Sequence, residues 1–232
     1  MSIRKELPHL ALLAALWGLA AARFDAVPEA VPVHWNIDLL PDRTGGRVEA
    51  TLLIPVIATV IYLLMAFVPG LIDRPPGWRP TGPHEAPSAR SPISARDEIA
   101  RSQPAFDRMR LLLLGFLLGI SVEMHLYYAE VIHTLAPALP LLIGALIVGL
   151  GLLLPGLKPN RFAGIRLPWT LSDPLVWEKT HRLGGAIFVV CGGALGVLGA
   201  LSPRLGFLVG LPGLMVALIA TTLYAWRISP KR

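Results

Sequence analysis

Glu123, His125, Glu130 and His133 crowd one short stretch, and carboxylate with imidazole is the donor set that suits zinc or another transition metal. Glu130 and His133 stand at the i, i+3 spacing of carboxylate metal bundles, and Glu123 precedes Glu130 by two helical turns. His34, from an earlier segment that also carries Asp38 and Asp42, is a fifth expected ligand. A carboxylate such as Glu123 can equally serve as a protonatable group. The plainer alternative is that helix ends near water simply gather polar residues. Either no cofactor or a divalent metal such as zinc is therefore expected. The H-E-x-x-H pattern of a helical zinc protease is missing.

The elements that would hold these groups are membrane spans. The 232 residues are 54% hydrophobic and 16% charged, with a mean hydropathy of +0.61. A soluble domain carries about 25% charged residues. The apolar residues fall into six runs: Leu7–Phe24, Val48–Val68, Met109–Tyr128, Pro137–Pro155, Leu183–Leu201 and Leu205–Trp226. Each is long enough to cross about 30 Å of hydrocarbon as a helix. The fold class expected is an all-α polytopic membrane protein with six transmembrane helices. Arg4 and Lys5 before a Leu/Ala run ending in Ala20-Ala21-Ala22 also fit a cleaved signal peptide, an alternative that stays open. Cys191 is the single cysteine, which excludes a disulfide scaffold.

Basic residues orient the spans, because cytoplasmic loops are rich in Lys and Arg. With both termini cytoplasmic, all 21 basic residues except Arg23, Arg43, Arg47 and Arg204 lie inside. The net charge of +6 is thus a topology signal rather than a sign of direct nucleic-acid binding. The chain divides into a transmembrane hairpin (1–72) with a structured outer loop (24–47), a Pro- and Arg-rich cytoplasmic linker (73–104), and a four-helix region (105–232) containing an inner loop (158–185). The linker has no apolar period and is expected to be flexible, with a helical lead from Asp97 into the third span.

Small residues mark packing faces. Gly115, Gly119 and Glu123 follow at i, i+4, i+8, so Glu123 should face a neighbouring helix and be paired, hydrated or protonated. Gly185, Gly192, Gly196 and Gly199 share a face of the fifth span. Gly206, Gly210 and Gly213 do so in the sixth, which suggests a close hairpin between the two.

Two loops carry distinctive patterns. The outer one reads P-x-H-W-N…P-D-R from Pro32 to Arg43, with Asn36 and Asp38 as turn formers. The inner one runs K-P-N-x-F-x-G-I-R-x-P-W-T-L…W-x-K-T-H-R-x-G-G from Lys158 to Gly185. Ser172 or Asp173 before Pro174 is a helix start, predicting a helix that continues into the fifth span. Trp169 and Trp177 suit the interface, with Arg161, Arg166, Lys179 and Arg182 toward headgroups. The pairing of these loops resembles the SdpI family of bacterial membrane proteins. That resemblance implies a multi-pass protein of the bacterial cytoplasmic membrane that protects its cell from a secreted, membrane-active peptide toxin. It also implies signalling by holding a cytoplasmic repressor at the membrane. It supplies no catalytic residues.

Three readings follow. A binding and sensing protein would meet an extracytoplasmic peptide through His34, Trp35, Asn36, Asp38, Asp42 and Glu123. It would meet a partner or lipid inside through Asn160, Arg161, Arg166, Trp169, Trp177, Lys179, His181 and Arg182. An ion-coupled transporter would use Glu123 as its protonatable group, although no internal repeat is evident. A membrane metalloenzyme would rest on Glu123, His125, Glu130, His133 and His34. The first, which is not an enzyme, fits the two loops best.

Overall fold

The computed structural model describes residues 3–71, 95–160 and 163–230. Six helices are long and apolar enough to cross a membrane. They are α1 (Ile3–Arg23), α2 (Arg47–Leu71), α3 (Ala95–Tyr128), α4 (Ala138–Leu153), α6 (Pro174–Leu201) and α8 (Leu211–Ile228). Short helices α5 (Pro168–Ser172) and α7 (Pro203–Leu205) precede α6 and, through a π-helical turn over Gly206–Gly210, α8. Most of the expected 73–104 linker lies outside the described residues; its last part, 95–104, forms the first turns of α3.

The outer loop is more regular than an all-α reading expects. Strand β1 (Ala30–Trp35) pairs antiparallel with β2 (Pro41–Gly46). Asn36 closes the turn: its Oδ1 accepts the backbone N–H groups of Asp38 and Leu40 at 2.9 and 3.1 Å. The turn puts Leu39 in the left-handed region, at φ 56, and buries it. Asp38 then meets Arg204 of α7 at 2.8 Å, tying the hairpin tip to the start of the last span.

Helices α1, α2 and α3 pack together, as do α4, α6 and α8 with α6 in the middle; α3 and α4 join the two groups. Leu13, Leu16, Ala58, Tyr62 and Leu114 form the core of the first group. In the second, glycines let the backbones touch. A Cβ on Gly144 would stand 2.7 Å from the Gly192 carbonyl oxygen, and one on Gly151 the same distance from that of Gly185. The glycine face of the fifth span therefore serves mainly α4. Of the glycines expected to meet across the hairpin, Gly199 lies against Gly206, while Gly210 lies against Leu195 and Gly213 faces open space. Glycine spacing showed a smooth face but not which neighbour would occupy it.

A buried polar cluster pins the first group at the end opposite the hairpin. Arg110 of α3 grips Glu6 of α1 with both Nη atoms, at 3.2 and 3.1 Å, and Asp107 at 2.6 Å. Tyr62 of α2 donates to Glu6 at 3.0 Å, and its ring lies under the Arg110 guanidinium. His9 donates from Nε2 to the Asp107 carbonyl at 3.1 Å. In the sequence Arg110 is one of the inner basic residues, and the sign of its pairing is a carboxylate, a histidine and a tyrosine within apolar helices. Breaking a buried pair strands its partner charges, at about 3–5 kcal/mol, whereas an exposed pair is worth at most ~1 kcal/mol. Arg110→Met should therefore lower the thermal midpoint of the detergent-purified protein sharply. Arg182→Ala, which removes only the exposed contact to Glu178 at 4.0 Å, should barely move it. Equal melting of the two variants would contradict the account.

Candidate functional site

The expected site residues separate to the two ends of the bundle. At the far end, most of the inner pattern is spent on the loop's own architecture. Asn160, with no exposed surface, donates to the Lys158 carbonyl at 2.7 Å and accepts the Ala163 N–H at 2.9 Å. Gly164 follows at φ +111, a conformation that suits glycine, and a Cβ there would run into His181 and Trp177. Thr170 accepts the Leu167 N–H at 2.8 Å and donates to the Ile165 carbonyl at 2.8 Å. Asp173 caps α6 by accepting the N–H groups of Leu175 and Val176. As expected, α6 runs unbroken from Pro174 to Leu201.

Trp177 and His181, each 1% exposed, complete the clasp. The Trp177 indole donates to the Leu157 carbonyl at 2.8 Å, and its ring stacks on His181 with centroids 4.0 Å apart. His181 Nδ1 donates to the Trp177 carbonyl at 2.8 Å, so Nε2 carries the lone pair that accepts the Ile165 N–H at 3.0 Å. Of the residues expected to meet a partner or lipid, Asn160, Trp177 and His181 are thus turned inward. Trp169 is half-buried, Arg166, Lys179 and Arg182 are exposed, and Arg161 lies outside the described residues.

At the hairpin end, His34 and Asp42 face each other across the strands at 2.5 Å, both exposed. Arg43 pairs with Glu49 at 2.7 Å; that hydrogen bond and charge raise the guanidinium further above its ordinary range. Asp38 serves the Arg204 bridge, and Asn36 the turn. Trp35 is half-buried and packs edge-to-face on Tyr127 of α3 at 5.7 Å. Tyr128 donates to the Pro32 carbonyl at 2.9 Å, fastening β1 to α3.

Beneath the hairpin, Glu123 is 4% exposed, and neither carboxylate oxygen has a hydrogen-bond partner in the protein. The nearby Leu139 N–H faces it but is committed to the Leu135 carbonyl at 2.9 Å. Gly119, one turn earlier, lies against Leu142, so this face of α3 meets α4 as its spacing suggested; Gly115 lies open. His125 occupies another face: its Nδ1 donates to the Ser121 carbonyl at 2.7 Å, while its buried Nε2 has no partner. Glu130, at φ 56, and His133 are exposed just beyond the helix. The structure does not gather Glu123, His125, Glu130, His133 and His34 at one point: among the described residues, no three His, Cys, Asp or Glu side chains form a metal-holding group. Helical phase turns Glu123 and His125, two apart on α3, nearly opposite ways, and Glu130 and His133 lie past the end of that helix.

Gly164→Ala forces a side chain into both an unfavourable φ and the His181 ring. It should reduce the folded protein recovered from membranes and open the 157–173 loop to limited proteolysis, with a cost of about 1–3 kcal/mol. Lys179→Ala should leave both unchanged.

Comparisons with known proteins fall on these two structured ends. Residues 156–225 match the family model described as the SdpI/YfhL protein family, and residues 11–59 match a domain of unknown function, DUF1648. Over 74 residues the chain is 32% identical to the Immunity protein SdpI of Bacillus subtilis (strain 168), covering 32% of this chain and 36% of that protein. The match therefore spans about a third of that relative's length. No solved structure matches. Six apolar spans make this chain a multi-pass membrane protein, and its residues 156–225, the inner loop and the last two spans, are similar to the SdpI/YfhL protein family.

Proposed function

We propose that the chain is an immunity and sensing protein of a bacterial cytoplasmic membrane, protecting its cell from a secreted, membrane-active peptide toxin. Both termini and the inner loop lie in the cytoplasm, and the β1–β2 hairpin lies outside. The observation that carries this reading is the match to the Immunity protein SdpI, and it is supported by an ordered hairpin at the end of the bundle opposite the family loop. A peptide arriving from outside would meet the exposed His34–Asp42 pair, then Trp35, Asn36 and Asp38 at the hairpin turn. Inside, Arg166, Lys179 and Arg182 form the basic surface for lipid or for a cytoplasmic repressor. The reading requires no catalysis.

The test is survival. A deletion strain challenged with toxin should die, and plasmid expression should restore growth. His34→Ala combined with Asp42→Ala removes an exposed pair worth at most ~1 kcal/mol. This double variant should keep its abundance in the membrane, judged by immunoblot, and lose protection. Lys179→Ala combined with Arg182→Ala should keep protection and lose any repressor recruitment. Normal resistance of the deletion strain would remove the immunity reading.

A further inference from the structure

We propose that Glu123 is the floor of a binding site for a primary ammonium group, presented from the hairpin side by a lysine or the amino terminus of a peptide. The proposal rests on the immunity reading for the nature of the ligand, but its chemistry comes from the site. A carboxylate buried within a span must acquire a proton, a cation or hydrogen-bond donors, because hydrocarbon supplies none. The protein gives Glu123 little of this: neither oxygen has a well-formed hydrogen bond, and the Leu139 N–H that faces it is shared with the Leu135 carbonyl.

The surroundings narrow the class of ligand. Tyr127 lies one turn along the same face of α3 and holds Trp35 edge-to-face. Leu139, whose N–H faces Glu123, packs in one apolar cluster with Trp35, Tyr127, Leu39, Leu135 and Phe207. Such surroundings suit the alkyl stem of a lysine, aromatic rings suit its cationic head, and three N–H donors match the carboxylate's lone pairs. The indole N–H of the half-buried Trp35 is itself buried and likewise without a partner in the protein, a donor left for an acceptor such as a peptide carbonyl.

Access favours the hairpin side. Val122 and Leu126, which flank Glu123 on α3, present exposed apolar side chains, so the lipid-facing flank offers a headgroup nothing polar. Above the site, Leu39 is seated at φ 56, and strain in a non-glycine residue recurs at ligand clamps. The bridge from Asp38 to Arg204 that holds this tip is exposed and weak. Release of that bridge would free the tip on its Arg204 side, the side from which a ligand would have to enter.

The test uses the full chain in nanodiscs of phosphatidylcholine and phosphatidylglycerol, which lack primary amines, with n-hexylammonium as the probe in calorimetric titration. Saturable binding is expected, and Glu123→Gln should raise Kd about tenfold or more, the loss of one charged hydrogen bond. Hexyltrimethylammonium has equal charge and no N–H donors, so it should bind several-fold more weakly to the unaltered protein, a comparison independent of any variant's folding. Equal binding of hexanol or of the trimethyl probe, or an unchanged Kd in Glu123→Gln, would overturn the site. Loss of probe binding on adding phosphatidylethanolamine would assign it to a lipid headgroup and overturn the peptide assignment. Protection without probe binding would remove this site and leave the immunity reading; probe binding without protection would do the reverse.

Discussion

Hydrocarbon offers no hydrogen bonds, so a polar group buried among membrane spans must find its partner elsewhere in the chain. Much of this fold follows from that demand. The Arg110 guanidinium draws Glu6, Asp107 and Tyr62 together and so fixes α1, α2 and α3 at one end. The glycine seam between α4 and α6 meets a related demand, bringing the helices close enough for backbone contact where there is no water to drive them together. Where α6 leaves that seam, Trp177 and His181 reach back to Leu157 and Ile165 and close the family loop.

The same demand separates the chain's polar residues by role. In the family loop, Asn160, Thr170, Asp173, Trp177 and His181 have their hydrogen bonds met by the chain, so their joint presence is explained by loop closure. At the hairpin end, Glu123 and His125 Nε2 lie buried with demands the protein does not meet. A group that costs stability and has no internal partner is where an external one is to be sought.

The spans, the unbroken helix from Pro174 and the inward face of Glu123 were legible in the sequence, because hydropathy, proline capping and the 3.6-residue period act locally. The hairpin was half legible: Asn36 and Asp38 marked its turn, but β1 contains Pro32 and β2 is mostly Pro, Asp and Gly, poor strand formers on their own. What the sequence hid was pairing across distance. Nothing near Arg110 announces that Glu6 will reach it, and nothing near Gly192 that Gly144 rather than Gly206 will meet it. The spacing of Glu130 and His133 suggested a metal site, yet α3 ends at Tyr128 and both residues lie beyond the helix that would have aligned them.

The fold depends on the inner loop being a closed structural clasp held by Trp177 and His181. Residue-resolved hydrogen exchange on the full chain in detergent tests it most directly. The amides of Ala163, Ile165 and Leu167, bonded to Asn160, His181 and Thr170, should exchange as slowly as those inside α6. Exchange at the rate of unprotected chain at these three positions would contradict the clasp.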